Sequence, residues 1–350
     1  MPSTETAPPR RPTLDEVAAR AGVSRTAASR VINNAPYVSA AKRAAVERAV
    51  RELGYVPNPT ARALANSRTG TVVLAISSEQ PGIFADPFFA EVTMGVSSFL
   101  EQADLELVLL LADTAHGKER LRRLLRSRRA DGVILLAVHG DDPLCRLAER
   151  TELPVVFGGL PLTGTPRWYV DPDNRGGARL AVEHLVRDGR TALAMITGQA
   201  DLQAAVAREQ GFREALALAG LSPAGLAAGD FTRAGGEAAM DRLLTARPDL
   251  DAVFAANDGM ALGALRSLRR HGRRVPEDVA VVGFDDLAEA RHAEPALTTV
   301  HQPLRALGRE LARMLVAAVA GEDPSPLVLP TRLTVRDSSP APGSGPLPAV

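Results

Sequence analysis

The stretch Thr13–Ala65, TLDEVAARAGVSRTAASRVINNAPYVSAAKRAAVERAVRELGYVPNPTARALA, decides how this chain is organised. Thr13 is a helix-capping residue, and apolar residues after it recur at the spacing of a single helix face. Gly22 ends that first helix, and Ser24 caps a second helix only two residues later. Two short helices separated by a tight glycine turn predict a helix-turn-helix.

The second helix has an apolar side and a polar side. Apolar residues are expected to face inward, which leaves Arg25, Thr26, Ser29 and Arg30 pointing outward. Residues at the start of such a helix reach base edges in the major groove, and an arginine there can bond both acceptors of guanine. Ser29 and Asn33 suit phosphate oxygens, which fix register without reading sequence.

A third helix is predicted from the cap Ser39 to Gly54, followed by a short segment with helix signals of its own. Asn58 is a cap and Pro59 suits the first helical position. The segment is too short to be helical alone, so we expect it to order against DNA and a partner copy. Leu64 would then be an apolar wedge in the minor groove. The alternative is a plain linker with a chance leucine.

Charge separates this head from the rest of the chain. Residues 1–68 carry 11 Lys and Arg against 5 Asp and Glu, whereas the remainder carries 30 against 36. A basic head on an acidic body indicates that only the head meets a polyanion such as double-stranded DNA. Chance clustering of charge on a solvated face is the alternative.

Composition excludes several classes of protein. No apolar run approaches the roughly 18 residues of a membrane helix, so no membrane partner is expected. The N-terminus lacks an apolar signal core, which favours a cytoplasmic protein. The single cysteine, Cys145, cannot form an internal disulfide, and metal-binding spacing is absent. We therefore expect no metal and no cofactor, and a buried thiol at Cys145.

From Thr71 onward, short apolar runs alternate with helical stretches. This alternation predicts doubly wound parallel sheets, and its length favours two similar lobes that face each other across a cleft. The runs read as buried strands are residues 72–77, 105–111, 131–138, 154–158, 192–198, 250–258 and 279–286.

Polar residues follow several of these strands, where ligands of such folds bind. Asn257 and Asp285 end two strands, and Arg208 precedes a helix. Such side chains bind hydroxyl groups well, and Phe231 or Phe84 could stack on a ring. Paired carboxylates can also serve as general acid and base, but no nucleophile, metal cluster or phosphate loop accompanies them. Helix capping is the alternative for Asp173 and Asp286, and His301 is a further ligand candidate.

The head segments TLDEVAARAGVS, SRVIN and LGYVPNPTARAL resemble the LacI/GalR (lactose repressor) family of bacterial transcription regulators in order and spacing. The similarity extends through AREQGFREAL and the long stretch that ends in VAVVGFDD to about Ser338. It implies an α-helical helix-turn-helix head with a hinge helix. An α/β two-lobed effector domain, similar to periplasmic sugar-binding proteins, would follow.

The resemblance also implies roles for particular residues. Bases would be contacted by Arg25, Thr26 and Arg30, phosphates by Ser24, Ser29 and Asn33, and the minor groove by Ala61 and Leu64. Effector contacts would be Ser77, Phe84, Phe88, Arg208, Phe231, Asn257, Asp285 and Gln302. The chain departs from the family at Ala27-Ala28, where Thr-Val is usual, and at Gly158, where sugar-responsive members often carry Asp.

These patterns divide the chain into a tail (1–12), a helix-turn-helix DNA-binding domain (13–57), a hinge helix and linker (58–69), an effector and dimerisation domain (70–338) and a second tail (339–350). Within the effector domain, one lobe is expected at about 70–168 and 301–331 and the other at about 169–300. We expect both tails to be disordered.

The predicted function is a ligand-responsive DNA-binding regulator, with repression the expected mode. It would act as a homodimer on a pseudo-palindromic operator, with a carbohydrate as effector. A solute-binding protein and an enzyme are the alternatives.

Overall fold

A computed structural model of the protein describes residues 12–33, 37–56, 68–77, 86–112, 114–127, 129–140 and 142–341. The chain divides into two compact units, residues 1–70 and residues 71–350. No helix in the described ranges is long and apolar enough to cross a membrane.

The first unit is the predicted helix-turn-helix. Its helices are α1 (Leu14–Ala21), α2 (Arg25–Ile32) and α3 (Ala40–Leu53). Thr13 and Glu16 form a reciprocal capping box, in which the Thr13 backbone N–H donates to Glu16 Oε2 at 2.7 Å. The three helices pack around a small core of Val17, Ala18, Ala28, Val31, Val46 and Ala49. Ala61 and Leu64 of the predicted hinge lie outside the described residues.

The second unit contains two mainly parallel sheets, as predicted, and each sheet has six strands. In the first lobe the strand order is β11-β5-β4-β3-β1-β2, and all neighbouring strands are parallel. Its strands are β1 (Thr71–Ile76), β2 (Glu106–Leu111), β3 (Gly132–Leu136), β4 (Val155–Gly158), β5 (Tyr169–Pro172) and β11 (Leu327–Leu329). Its helices are α4 (Pro87–Gln102), α5 (Ala115–Ser127), α6 (Pro143–Arg150) and α12 (Leu304–Val319). Both faces of the sheet carry apolar cores, which explains why its central strands read as continuous apolar runs.

The second lobe has the order β12-β10-β9-β8-β6-β7, in which only the β10–β12 pairing is antiparallel. Its strands are β6 (Leu193–Thr197), β7 (Gly225–Ala228), β8 (Ala252–Ala255), β9 (Ala280–Asp285), β10 (Thr298–His301) and β12 (Arg332–Thr334). Its helices are α7 (Asn174–Arg187), α8 (Gln203–Leu218), α9 (Arg233–Ala246), α10 (Asp258–Arg270) and α11 (Ala288–Arg291).

The chain passes between the lobes after β5, after β10 and between β11 and β12. The first passage lies beyond Pro172, later than the boundary expected near residue 169, because β5 pairs with β4 in the first sheet. Asp173 and Gln302 therefore stand on two of the passages between lobes.

The segment at Ser338 and Ser339 is fully buried, so the expectation of disorder from residue 339 is wrong for Ser339. Ser338 Oγ accepts a hydrogen bond from the Thr298 backbone N–H at 2.8 Å. His184 Nε2 lies 2.9 Å from the backbone oxygen of Ser339. These contacts fasten the end of the effector domain onto β10 and α7, and they give His184 a structural role.

Candidate functional site: a cavity between two lobes and an exposed helix

A cavity lies between the two lobes of the second unit, at the carboxyl ends of their strands. This is where ligands bind in parallel α/β folds. The structure brings six of the eight predicted effector contacts to its wall: Phe88, Arg208, Phe231, Asn257, Asp285 and Gln302.

Arg208 of α8 is buried in this wall, with 5 % of its surface exposed. Its Nε donates to Asn174 Oδ1 at 2.8 Å, and its guanidinium also donates to the backbone oxygen of Ala256. Its Cζ lies 3.8 Å from the centre of the Phe284 ring, and its Nη1 lies 3.7 Å from Asp285 Oδ1. A buried arginine held by so many partners presents its remaining N–H groups in a fixed direction.

Asp285 ends β9 and is also buried. Its Oδ1 accepts a hydrogen bond from Gln302 Nε2 at 2.5 Å. Burial raises the pKa of Asp285 well above its usual value, and Arg208 opposes this rise. Gln302 Oε1 is buried without a hydrogen-bond partner in the described structure, so it remains free to accept a bond from a ligand.

Asn257 and Phe231 are held together beside the cavity. Asn257 caps α10 by accepting from the Met260 backbone N–H at 2.9 Å, and it donates to the Phe231 backbone oxygen at 3.0 Å. The Phe231 ring lies against Gly198, where an added Cβ would come 2.1 Å from Phe231 Cζ. Gly198 therefore leaves the space that the aromatic ring occupies.

Unusual backbone geometry is concentrated at this cavity. Ala137, Phe231 and Asp285 all line it and have positive φ angles, of 52°, 66° and 118°. Non-glycine residues rarely adopt such angles, and where they do, the strain often marks a binding site. The strand ends are thus shaped to present side chains to the cavity.

Ser77 does not line the cavity, because it is buried and its hydroxyl donates to Asp142 Oδ2 at 2.7 Å. Phe84 lies outside the described residues. Gly158 lines the cavity, and Leu136 and Leu311 occupy the space that a side chain at this position would need.

Several polar residues of the cavity wall were missed as contacts: Asp86, His139, Asp171, Gln199 and Gln203. Asp86 could have been found, since an aspartate that precedes a proline is typical of a helix start. The sequence analysis did not indicate Asp171, because it did not predict the strand β5 in which this residue lies.

Asp173, Asp286 and His301 have structural partners. Asp173 caps α7 by accepting from the Gly176 backbone N–H at 2.8 Å. Asp286 lies 2.5 Å from Arg336 Nη2 and 3.1 Å from His301 Nδ1. Cys145 is buried, and burial raises the pKa of its thiol to about 11, which favours the protonated form near pH 7.

In the first unit, α2 presents Arg25, Thr26 and Arg30 to solvent, and Ala28 points into the core. Ser24 Oγ accepts from the Ala27 backbone N–H at 3.2 Å, which caps α2. Asn33 Nδ2 donates to Ser29 Oγ at 3.3 Å at the other end of the helix. The helix thus has a buried apolar side and an exposed side of two arginines and a threonine.

Comparison with known proteins identifies both units. Residues 13–58 match the family described as bacterial regulatory proteins, lacI family, and residues 182–339 match the periplasmic binding protein-like domain. The transcriptional regulator CelR of Thermobifida fusca is 49 % identical over 336 residues, which cover 94 % of this chain and 98 % of CelR. The chain belongs to the LacI family.

Other members of the LacI family agree with this assignment. The ribose operon repressor of Escherichia coli K12 is 37 % identical, over 86 % of this chain and 90 % of that protein. A solved complex of CelR with cellobiose is 48 % identical and covers 94 % of this chain and all of that one, with a TM-score of 0.75. The lac repressor dimer bound to operator and an anti-inducer is 30 % identical and covers 95 % of this chain and all of that one, with a TM-score of 0.85. These relatives are transcriptional regulators rather than enzymes, and the protein is a DNA-binding regulator of transcription.

Proposed function

We propose that this regulator binds a pseudo-palindromic operator as a homodimer and responds to a neutral β-linked disaccharide, such as cellobiose, in the cavity between its lobes. The observation that carries the proposal is the joint presence of Arg208, Asp285, Asn257 and Phe231 at one cavity. Fixed donors and acceptors beside an aromatic ring suit the hydroxyls and the apolar face of a sugar. The relative solved with cellobiose supports this class of effector.

The DNA contacts would come from the exposed side of α2. Arg25, Thr26 and Arg30 would reach base edges, while Ser24, Ser29 and Asn33 hold phosphates. Ala61 and Leu64 would enter the minor groove. Two heads in a dimer would read two half-sites, and the lac repressor dimer on its operator supports that arrangement. Operator binding implies a cytoplasmic protein, with repression as the mode of action.

The effector would act by changing the relation between the lobes. Asp285 bonds to Gln302 on one passage between lobes, and Arg208 bonds to Asn174 at another. A sugar bound to Arg208 and Asp285 would therefore act on the segments that connect the lobes. The resulting coupling free energy between the two sites is typically about 1–3 kcal/mol.

A titration of the full chain with cellobiose tests the effector role. We expect cellobiose to raise the melting temperature and to change affinity for operator DNA. Asp285→Ala should abolish both effects and leave salt-dependent DNA binding in place. Asp249→Ala, which removes an exposed carboxylate paired with Arg247 in the second lobe, is the matched control and should respond as the wild type does. Unchanged cellobiose affinity in Asp285→Ala would refute the assignment of the cavity.

A further inference from the structure

The first lobe contributes a carboxylate to the cavity at Asp171, near the end of β5. The register of the sheet fixes its direction: Val170 pairs with Gly158 and is fully buried in the core. Because side chains alternate along a strand, Asp171 points away from that core. It lines the cavity, one residue before the end of β5 and two before the chain leaves the first lobe.

Asp171 is held in place but keeps capacity for a ligand. Asn174 Nδ2 donates to Asp171 Oδ1 at 3.2 Å, and the Leu160 backbone also donates to the carboxylate. A carboxylate has about four acceptor positions, so further hydrogen bonds can be accepted. Gly159, with φ of 86°, lies beside it, and a Cβ there would be 3.6 Å from Asp171 Oδ1. The glycine leaves the approach to this oxygen open.

Asn174 links the carboxylate of Asp171 to Arg208 of the second lobe. Its Oδ1 accepts from Arg208 Nε, while its Nδ2 donates both to Asp171 and to the Pro172 backbone oxygen at 3.1 Å. The hydrogen-bonding groups of Asn174 are therefore engaged by the protein itself. Asn174 orients its neighbours, whereas Asp171 is free to meet a ligand.

The charges at the cavity are unequal. Asp86, Asp171 and Asp285 line it, while Arg208 is the one Lys or Arg among its described lining residues. Arg208 is already engaged by Asn174, Ala256 and Asp285. An ionised carboxylate at this cavity repels an anionic ligand, and Arg208 is the one lysine or arginine of the described lining that opposes this repulsion.

We propose that Asp171 accepts hydrogen bonds from effector hydroxyls and, with Asp86 and Asp285, makes the cavity select uncharged polyhydroxylated ligands over the corresponding acids. This inference rests on the proposed role of the cavity as an effector site. Burial raises the pKa of Asp171 to about 7, with Asp173 adding to the rise and Arg208 opposing it. Hydroxyl donors from a ligand stabilise the ionised form, so binding lowers that pKa and releases protons near pH 7.

Other ionisable groups at the cavity can also take up or release protons when a ligand binds. Burial also raises the pKa of Asp86 and of Asp285. Arg208 on α8 and Asp173 before α7 act on the carboxylate, and Asp86 before α4, Asp285 on β9 and His139 after β3 line the same cavity. The contribution of Asp171 is therefore measured as the difference in proton release between the wild type and a variant in which Asp171 alone is substituted.

Calorimetry on the full chain tests the inference. Cellobiose is titrated at pH 7 in two buffers of different ionisation enthalpy, which gives the number of protons released. Asp171→Asn keeps the size of the side chain and removes its charge. We expect its cellobiose affinity to fall about 10- to 100-fold, the range for a hydrogen bond to a charged group, and its proton release to decrease. Asp249→Asn, which neutralises an exposed carboxylate paired with Arg247 away from the cavity, is the control and should stay within about twofold of the wild type.

A second measurement uses the wild type alone and does not depend on the folding of a variant. Cellobiouronic acid, in which one C6 hydroxymethyl group of cellobiose is oxidised to a carboxylate, should bind at least about tenfold more weakly than cellobiose, because ionised carboxylates of the cavity repel its charge. If the acid binds as well as cellobiose, the charge selection is refuted. If Asp171→Asn binds cellobiose with wild-type affinity and proton release, Asp171 is not a contact, although the proposed function stands. If the wild type binds no neutral saccharide, the proposed function and this inference fail together.

Discussion

Arg30 is a residue of the head at which a substitution can distinguish a contact to a base from a contact to a phosphate. It lies exposed near the end of α2, on the side away from the core that includes Ala28 and Val31. An arginine that bonds both acceptors of a guanine discriminates among bases, whereas an arginine on a phosphate does not. Arg30→Ala should therefore cost about 1–3 kcal/mol of operator affinity and relax sequence preference at one position of each half-site.

Selection from a randomised duplex library, followed by sequencing of the bound fraction, measures this change. Arg48→Ala is the matched control, because Arg48 is an exposed arginine on α3 rather than α2. It should leave the selected sequence unaltered. If Arg30→Ala weakens binding to all sequences equally and selects the same site, Arg30 contacts phosphate only.

At the scale of residues, the sequence predicts which side chains face outward on a strongly periodic helix, since 3.6-residue spacing alone separates the two sides of α2. It predicts less within the sheets. Gly158 lines the cavity, but the sequence does not show that Leu136 occupies the space that a side chain at this position would need. The carboxylate at this part of the cavity comes from Asp171 on the neighbouring strand.

The aromatic wall of the cavity depends on how β6 ends. Gly198 follows that strand, and an added Cβ would lie 2.1 Å from Phe231 Cζ. Gly198→Ala should therefore displace the ring. Because stacking of an aromatic ring contributes about 0.5–1.5 kcal/mol, we expect cellobiose affinity to fall about threefold to tenfold.

A double-mutant cycle shows whether the effect passes through the ring. Phe231→Leu removes the aromatic surface, so Gly198→Ala should have little further effect on affinity in that background. Calorimetry on the four proteins measures the coupling. Additive losses would show that Gly198 acts on the cavity by another route.

At the scale of elements, long apolar runs predicted the central strands well, because parallel strands buried on both faces are apolar throughout. The runs at 72–77 and 279–286 correspond closely to β1 and β9. Short strands were missed. β5 contains an aspartate and a proline, and β11 and β12 have three residues each, so none has a run long enough to detect. Their pairing depends on tertiary contacts that local sequence does not encode.

At the scale of the effector domain, hydrogen bonds at the cavity connect the passages between lobes. Asn174 follows the first passage and bonds to Arg208, and Gln302 stands on the second and bonds to Asp285. Arg208 and Asp285 face each other at 3.7 Å. A ligand on this pair therefore contacts the part of the domain where a change in lobe angle must occur.

A further contact joins the lobes beside the cavity, between the loop after β3 and the loop after β6. The Gly140 backbone N–H donates to the Asp201 backbone oxygen at 2.7 Å, and His139 Nδ1 lies 3.0 Å from Asp201 Oδ2. The Asp201 side chain is 54 % exposed, so its bond to His139 contributes only about 0.2–1 kcal/mol. Asp201→Ala should thus modestly favour arrangements in which the two lobes lie farther apart.

We expect Asp201→Ala to speed cellobiose dissociation by up to about fivefold, because a ligand held between two lobes leaves when they part. Stopped-flow displacement measures this rate. Asp278→Ala is the control, since Asp278 pairs at 2.7 Å with Arg274 of its own lobe, and it should leave the rate unchanged. A wild-type rate in Asp201→Ala would mean that the bond between Gly140 and Asp201, which the substitution retains, is sufficient to hold the loops together. A faster rate with unchanged operator affinity in the absence of sugar would place the role of Asp201 in the ligand-bound state.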